Sequence, residues 1–168
     1  EGAVLCVWGG AALAGQRQSG EVHFNDFAAT GCNQLVNIAA KGRYRWGGEV
    51  PMVVRMPWGG RRSGGPYHSQ NTEAWFYRTP GLKIVVPSTP EDARGLLASA
   101  VADADPVLFY EHIALYRDPR LKQVLDDAAP APVPLGQAAL RRAGRAVALL
   151  SYAAIVHDCP RGAEPLAL

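Results

Sequence analysis

The sequence predicts an α/β domain, a parallel sheet with helices on both faces, followed by the start of a second α/β domain. Two observations carry this. The runs VPMVVRM, KIVV and PVLFY are short and continuously apolar, the pattern of strands buried on both faces. Segments with helix-start chemistry lie between them, so strands and helices alternate as in βαβ units. A chain of 168 residues that is 48% hydrophobic and only 19% charged can bury a core, which excludes disorder of the whole. Its 18 glycines and 13 prolines imply many turns.

Residues 2–15 (GAVLCVWGGAALAG) carry no charge. The run is too short to cross a bilayer. As a signal-peptide core it would need a basic leader, and Glu1 precedes it instead. A buried helix is expected, with Val4, Leu5, Val7, Trp8, Ala11, Ala12 and Leu13 on a broad face and glycines that allow tight packing on both sides. Residues 21–24 (EVHF) form a strand candidate. Asn25 or Asp26 can cap a helix running to about Tyr44, with Leu35, Val36, Ile38 and Ala39 inward and Gly47 and Gly48 ending it.

Residues 52–56 (MVVRM) read as a buried strand, followed by the Gly-rich loop PWGGRRSGGPYHSQ (57–70). Asn71 or Thr72 caps a short helix to Arg78, and 83–86 (KIVV) form the next strand. The clearest helix start is Thr89-Pro90-Glu91-Asp92: a threonine cap, proline at the first position and an acid three residues after the cap. Leu96, Leu97, Ala100 and Val101 face inward, and the helix ends near Asp103. Residues 106–110 (PVLFY) are another strand. Residues 1–116 thus form one domain. The Pro-rich 117–136 is a linker. Within 137–168, the apolar run at 145–152 is expected to open a second domain.

Seventeen basic against fifteen acidic residues leave +2, which gives no electrostatic case for nucleic acid or an anionic membrane. Lys41, Arg43, Arg45, Arg55, Arg61 and Arg62 are nevertheless opposed only by Glu49 in one stretch. The first expectation is a solvated or ion-paired face; the second is a docking face for an acidic partner. Cys6, Cys32 and Cys159 have no CxxC or zinc spacing and are expected as buried thiols in a reducing compartment.

Sites in parallel α/β sheets form in loops after the strands' carboxyl ends. Three places qualify: 23–27, the loop ending His68-Ser69-Gln70, and Glu111-His112. The Gly-rich loop has neither GK[ST] nor GxGxxG, so its glycines are read as letting the loop turn and bring His68 over a pocket. His112 and His157 are expected to be ordinary residues. The residues alone therefore point to 23–27 and His68.

At these residues the sequence resembles the beta subunit of the thiamine-diphosphate-dependent decarboxylating component of 2-oxoacid dehydrogenase complexes. The matching stretches are EVHFNDF (21–27), NQLVNIAAKGRYRWGG (33–48), VPMVVRMPWGG (50–60), GPYHSQNTEAWFYRTPGLKIVVPSTPEDARGLL (65–97), DPVLFYEHIALYR (105–117) and GQAALRRAGRAVALLSY (136–152). YHSQ and RMPWGG are similar to the 2-oxoisovalerate (branched-chain) type, and NQLVN and RYRWGG to forms with fused alpha and beta regions.

The resemblance implies a transketolase-like pyrimidine-binding domain, a linker and the opening of a carboxyl-terminal domain, with the family's amino-terminal segment outside this sequence. It places Glu1 at the catalytic glutamate, which shares a proton with the pyrimidine of thiamine diphosphate and works best in an apolar wall. Val4 and Leu5 could belong to that wall. Phe27 matches the ring that stacks on the aminopyrimidine. His23 stands near the cofactor where glutamine is frequent. His68 matches the active-site histidine that orients the 2-oxoacid and assists transfer to the lipoyl group. A structural K⁺ site carries over to Val50, Met52, Val53, Ala100, Asp103 and Asp105. Asn33 and Asp105 depart from the residues frequent at their positions. Mg²⁺ and the diphosphate would be held by an alpha subunit or fused alpha region. The other partner is a lipoyl-bearing acyltransferase, and the compartment is the bacterial cytoplasm or mitochondrial matrix. Rival readings are a pyruvate or acetoin dehydrogenase beta subunit and a non-catalytic α/β assembly module.

Overall fold

The computed structural model of the chain describes residues 1–60 and 63–164. Its centre is a four-stranded, wholly parallel sheet in the order β1-β2-β4-β3. The strands are β1 (Gln18–Glu21), β2 (Met52–Trp58), β3 (Lys83–Val85) and β4 (Val107–His112). The longest ladder joins β2 to β4, from Val53 opposite Val107 to Trp58 opposite His112. Successive side chains of a strand point to opposite faces, and both faces are filled. Met52, Val54, Met56, Trp58, Leu108 and Tyr110 pack with Leu5, Ala28, Leu35 and Phe76 on one side. Val53, Val107, Phe109 and Val85 pack with Leu96, Leu97 and Ala100 on the other. Each large apolar side chain so buried contributes about 2 kcal/mol. The expected α/β sheet with helices on both faces is the fold.

Helix α4 (Pro90–Ala102) forms as its start signal predicts. Thr89 Oγ1 accepts the Asp92 N–H at 3.1 Å, and Pro90 occupies the first turn. Val101 is exposed, however, because the buried stripe runs through Leu97 and Ala100. The short helix α3 (Glu73–Phe76) follows Thr72, and Phe76 is fully buried.

Helix α1 (Gly2–Leu13) is present but packs on one side only. Leu5, Gly9 and Ala12 are buried, whereas Val4, Val7 and Leu13 are exposed, and so is Cys6. The helix is apolar all round, so no hydrophobic stripe marks its inner face in the sequence. Cys32 and Cys159 are half-buried, so the expectation of three buried thiols is corrected.

Three further expectations are corrected. The first strand is Gln18–Glu21, not 21–24. It is an edge strand without large apolar residues, and Gly20 is needed because the Trp8 indole lies where a Cβ would stand. Val22 still donates to Arg55 O, but the chain then turns into the next segment. The single helix expected from Asn25 to Tyr44 is three pieces: a 3₁₀ segment Asn25–Gly31, a π-helical turn Gln34–Ala39 and α2 (Gly42–Trp46). Gly31 lies against Leu5 and Gly42 against Val50, so the chain rewinds to keep both contacts. Ile38 is exposed as a result. Finally, 145–152 forms no strand: these residues are exposed and unpaired with the sheet. After them come a 3₁₀ turn Ala153–His157 and the short helix α5 (Cys159–Ala163). Among the described residues no helix is long and apolar enough to cross a membrane.

The basic stretch divides. Arg43 pairs with Asp105, and Arg55 pairs with Glu111 and Glu21. Lys41 donates to Asn37, and Arg45 lies over the Trp46 ring. Its ion-paired reading holds for Arg43 and Arg55; Arg61 and Arg62 lie outside the described residues.

Two predictions follow from this packing. Gly81 has φ +95°, and a Cβ there would stand 1.9 Å from Ala40 O. Gly81→Ala combines a left-handed strain with a backbone clash, so chemical denaturation should show a loss of about 3 kcal/mol. Glu73 is buried and takes a hydrogen bond from Tyr152, while its Oε1 has no partner among the described residues. Burial pushes its carboxyl above the usual range. The folded form therefore holds the proton longer than the unfolded chain, and stability falls as pH rises through the folded pKa. Glu73→Gln should melt at higher temperature than the parent at pH 8 and lose that advantage near pH 4, measured by thermal unfolding across pH.

Candidate functional site

The parallel strands end at one edge, so the segments after β1 and β2 meet there. The chain after β1 carries His23, Phe24 and Phe27; the loop after β2 carries His68. Glu1 sits at the amino end of α1, beside the same edge. Its Oε1 accepts the His23 N–H at 3.3 Å and lies 3.5 Å from His23 Nδ1. The Glu1 side chain is only 16% exposed, while His23 is 88% exposed.

Three rings form a cluster beside this carboxylate. The Phe24 and His68 centroids are 5.0 Å apart and perpendicular, and those of Phe27 and His68 are 5.4 Å apart. Phe24 and Phe27 meet edge to face at 6.0 Å. Such perpendicular contacts are favourable for aromatic pairs. All three rings keep part of their surface open, so the cluster offers apolar faces to a flat ring beside a carboxylate.

Beneath the rings lies a buried polar knot. Asp26 Oδ1 accepts the Gln70 N–H at 3.2 Å and the Gln70 Nε2 at 2.9 Å. Asn25 Nδ2 donates to Asp26 Oδ2 at 2.8 Å and to Gln70 O at 3.0 Å. Asn25 Oδ1 accepts the Thr72 N–H and hydroxyl at 3.0 and 2.6 Å. Thr72 Oγ1 meets the Tyr110 hydroxyl at 3.0 Å. Burial raises the Tyr110 phenol above its ordinary value, so it stays neutral. Asn25, Asp26 and Gln70 fall within the candidate places 23–27 and the loop ending at Gln70, but sequence reasoning gave them no role in the site and did not join them. The signal was a pair of short polar runs, ND after the first expected strand and SQNT closing the Gly-rich loop.

The third candidate place is built differently. Arg55 grips Glu111 in a bidentate pair at 2.5 and 2.8 Å, and the Tyr116 hydroxyl donates to the same carboxylate at 2.5 Å. This network holds β2 to β4 on the α4 face. His112 Nδ1 accepts the Ala114 N–H, and its ring packs on Trp58 at 4.7 Å. His157 Nε2 meets Ser88 O at 2.7 Å. Both histidines are engaged within the fold.

The segments 50–53 and 100–105 meet in a separate corner, where Val50 N–H donates to Ala104 O at 3.0 Å. The two carboxylates there are already neutralised. Lys83 Nζ bonds both Asp103 oxygens at 2.8 and 2.7 Å, and Arg43 bonds Asp105 at 2.5 Å. Burial works against the Asp103 charge, but the Lys83 ammonium outweighs it and holds the carboxyl below its usual range. A cation at Val50, Met52, Val53, Ala100, Asp103 and Asp105 would therefore rely on main-chain carbonyl oxygens. Among the described residues no cluster of three His, Cys, Asp or Glu could hold a metal ion.

The residues present fit the pyrimidine end of thiamine diphosphate: a shielded carboxylate and half-open aromatic faces are the partners a protonatable heteroaromatic ring requires. Residues 1–119 match the model of the transketolase pyrimidine binding domain. The chain is 45% identical over 168 residues to a 2-oxoisovalerate dehydrogenase beta subunit of Bacillus subtilis, covering 99% of this chain and 50% of that protein. It is 41% identical over 160 residues to an acetoin:2,6-dichlorophenolindophenol oxidoreductase beta subunit of Cupriavidus necator, covering 94% of this chain and 46% of that protein. It spans about half the length of these relatives. A solved structure titled as a split-gene transketolase in an inactive beta4 tetramer superposes with a TM-score of 0.56 at 18% identity, over 67% of this chain and 34% of that one; it shows the fold alone. The chain belongs to the transketolase pyrimidine-binding domain family.

Proposed function

We propose that the chain is the pyrimidine-binding part of a 2-oxoacid dehydrogenase beta subunit of branched-chain type. In the complete enzyme it would take part in decarboxylating the 2-oxoacid and acylating a lipoyl domain of the partner acyltransferase. The observation that carries this reading is the convergence of Glu1, Phe27 and His68 from three separate segments onto one edge of the sheet. The 2-oxoisovalerate dehydrogenase and acetoin oxidoreductase relatives support a place among beta subunits of this kind.

Bound thiamine diphosphate would supply the electron sink for loss of carbon dioxide. The chain's own residues have distinct tasks. Glu1 would hold or release a proton at its carboxylate, on a side chain only 16% exposed. Its Oε1 is aimed by the His23 N–H, which fixes the carboxylate without neutralising it. Phe27 offers a ring face on which a pyrimidine would stack. His68 stands on that ring and can donate to the substrate's carboxylate or move a proton near it. His23, largely exposed beside Glu1, would line the approach to the cofactor. Main-chain oxygens at Val50, Met52, Val53, Ala100, Asp103 and Asp105 would hold K⁺.

The uncovered side of α1 supports a protein partner. Val4 and Val7 stand exposed on a helix with no charged residue, in the turns that follow Glu1. An alpha subunit or fused alpha region covering this face would bring Mg²⁺ and the diphosphate-binding residues, in a cytoplasmic or mitochondrial-matrix enzyme. The segment 137–168 would open the carboxyl-terminal domain of the complete beta subunit.

The test is turnover by the complete enzyme with its alpha region: decarboxylation of 2-oxoisovalerate and of pyruvate, and carbon–carbon cleavage of acetoin. Glu1→Gln and His68→Ala should each lower kcat by about 100- to 10,000-fold, the range for lost proton transfer. Full activity in Glu1→Gln would sink the assignment of that carboxylate. Preference for pyruvate or acetoin would move the protein to the corresponding type, and no activity on any of the three would favour an assembly module. A second prediction concerns the partner. Val7→Glu puts a charge on the uncovered face without touching the core, so the chain should fold normally but lose co-purification with the alpha region.

A further inference from the structure

We propose that the buried Asn25–Asp26 pair is the positioning device for His68, a role that rests on the reading of His68 as a site residue. Among its described residues, the loop bearing His68 is held by little main-chain hydrogen bonding. Gly59, Ser63 and Gly65 all have left-handed backbone, and between Gly59 and Gln70 the main chain contributes one hydrogen bond, His68 N–H to Gly65 O at 3.2 Å, among the described residues. Its tyrosine, Tyr67, is exposed. Order is imposed two residues later. Gln70 is bound to the 25–26 pair by three hydrogen bonds, through its N–H, its Nε2 and its carbonyl.

The same pair fixes the other half of the site. Asp26 precedes Phe27, and Asn25 follows Phe24, the two rings against which His68 packs. One buried unit therefore sets both the rings and the histidine. Asn25 is fully buried and its amide is saturated: two donations from Nδ2 and two acceptances at Oδ1. Asp26 accepts only, with both oxygens engaged and 7% of its surface exposed. No described contact joins Asp26 to the His68 imidazole, so its influence passes through Gln70 and the loop. It is a positioning residue rather than a catalytic one.

The pattern of donors makes the carboxylate specific. Asp26 faces Gln70 donors on one oxygen and the Asn25 amide donor on the other. An asparagine at this position would set an N–H against a donor in either flip, leaving a buried donor unsatisfied. The expected consequence is release of the loop, not loss of the sheet.

The experiment uses Asp26→Asn and Gln70→Ala in the full chain. The His68 imidazole resonances are followed by NMR, since the neighbouring phenyl rings displace them from the position of a free histidine. Asp26→Asn should keep the far-ultraviolet dichroism of the fold yet move the His68 resonances to those of a solvent-exposed histidine. Gln70→Ala removes only an exposed side-chain donor and should move them in the same direction by less, so the proposal stays testable should Asp26→Asn fail to fold. In the complete enzyme with its alpha region, Asp26→Asn should lower kcat about 10- to 100-fold, the scale of an ångström-size misplacement. Unmoved His68 resonances in Gln70→Ala, or a displaced His68 with kcat intact, would overturn the proposal. Failure of the reading beneath it is distinguishable, because His68→Ala would then retain full activity whatever the resonances do.

Discussion

The parallel pairing of β2 with β4 is the constraint on which the rest depends. Six residue pairs from Val53–Val107 to Trp58–His112 lock two strands separated by a loop, a helix, an edge strand and another helix. Because the strands run the same way, every segment that leaves a carboxyl end starts at the same edge. The 23–27 segment, the loop to His68 and Glu111 with His112 share that edge for no local reason. Burial on both faces holds the pairing, and the Arg55–Glu111 pair clasps it near its end, where the apolar layers thin out. Tyr116 closes that clasp, and burial beside the carboxylate keeps its phenol protonated well above the ordinary value.

Four elements were legible because their signals are strong and local. The strands β2, β3 and β4 are apolar runs that no competing period disguises, and α4 begins with a cap, a proline and an acid in sequence. The β1 edge was harder to read. Gln18–Glu21 has no β-forming residues; it is a strand because Gln18 N–H donates to Pro51 O, which seats it beside β2, and because Trp8 closes over Gly20. The segment from Asn25 to about Tyr44 reads as one helix, yet contacts of Gly31 with Leu5 and Gly42 with Val50 outweigh ideal hydrogen bonding there. Nor could a helix with apolar residues all round announce that only Leu5, Gly9 and Ala12 would be covered.

The candidate site divides in the same way. His68 and the 23–27 segment were visible as loop residues after strands, and Glu1 and Phe27 only through the family resemblance. The polar knot escaped because Asn25, Asp26, Gln70 and Thr72 are residues that turns use routinely. Nothing in their spacing tells a turn from a buried network. What distinguishes them is long-range pairing, 44 to 47 residues apart, which only the folded chain displays.

Helix α1 connects the core to the site in one further way. Its buried side reaches the sheet through Leu5, directly above the first turn where Glu1 sits, and Leu5 N–H donates to Glu1 O at 2.9 Å. The same twelve residues serve two surfaces: Leu5, Gly9 and Ala12 are spent on the core, while Val4 and Val7 are left facing water. In a helix without a charged residue no polar face decides which side turns inward, so packing alone decides it.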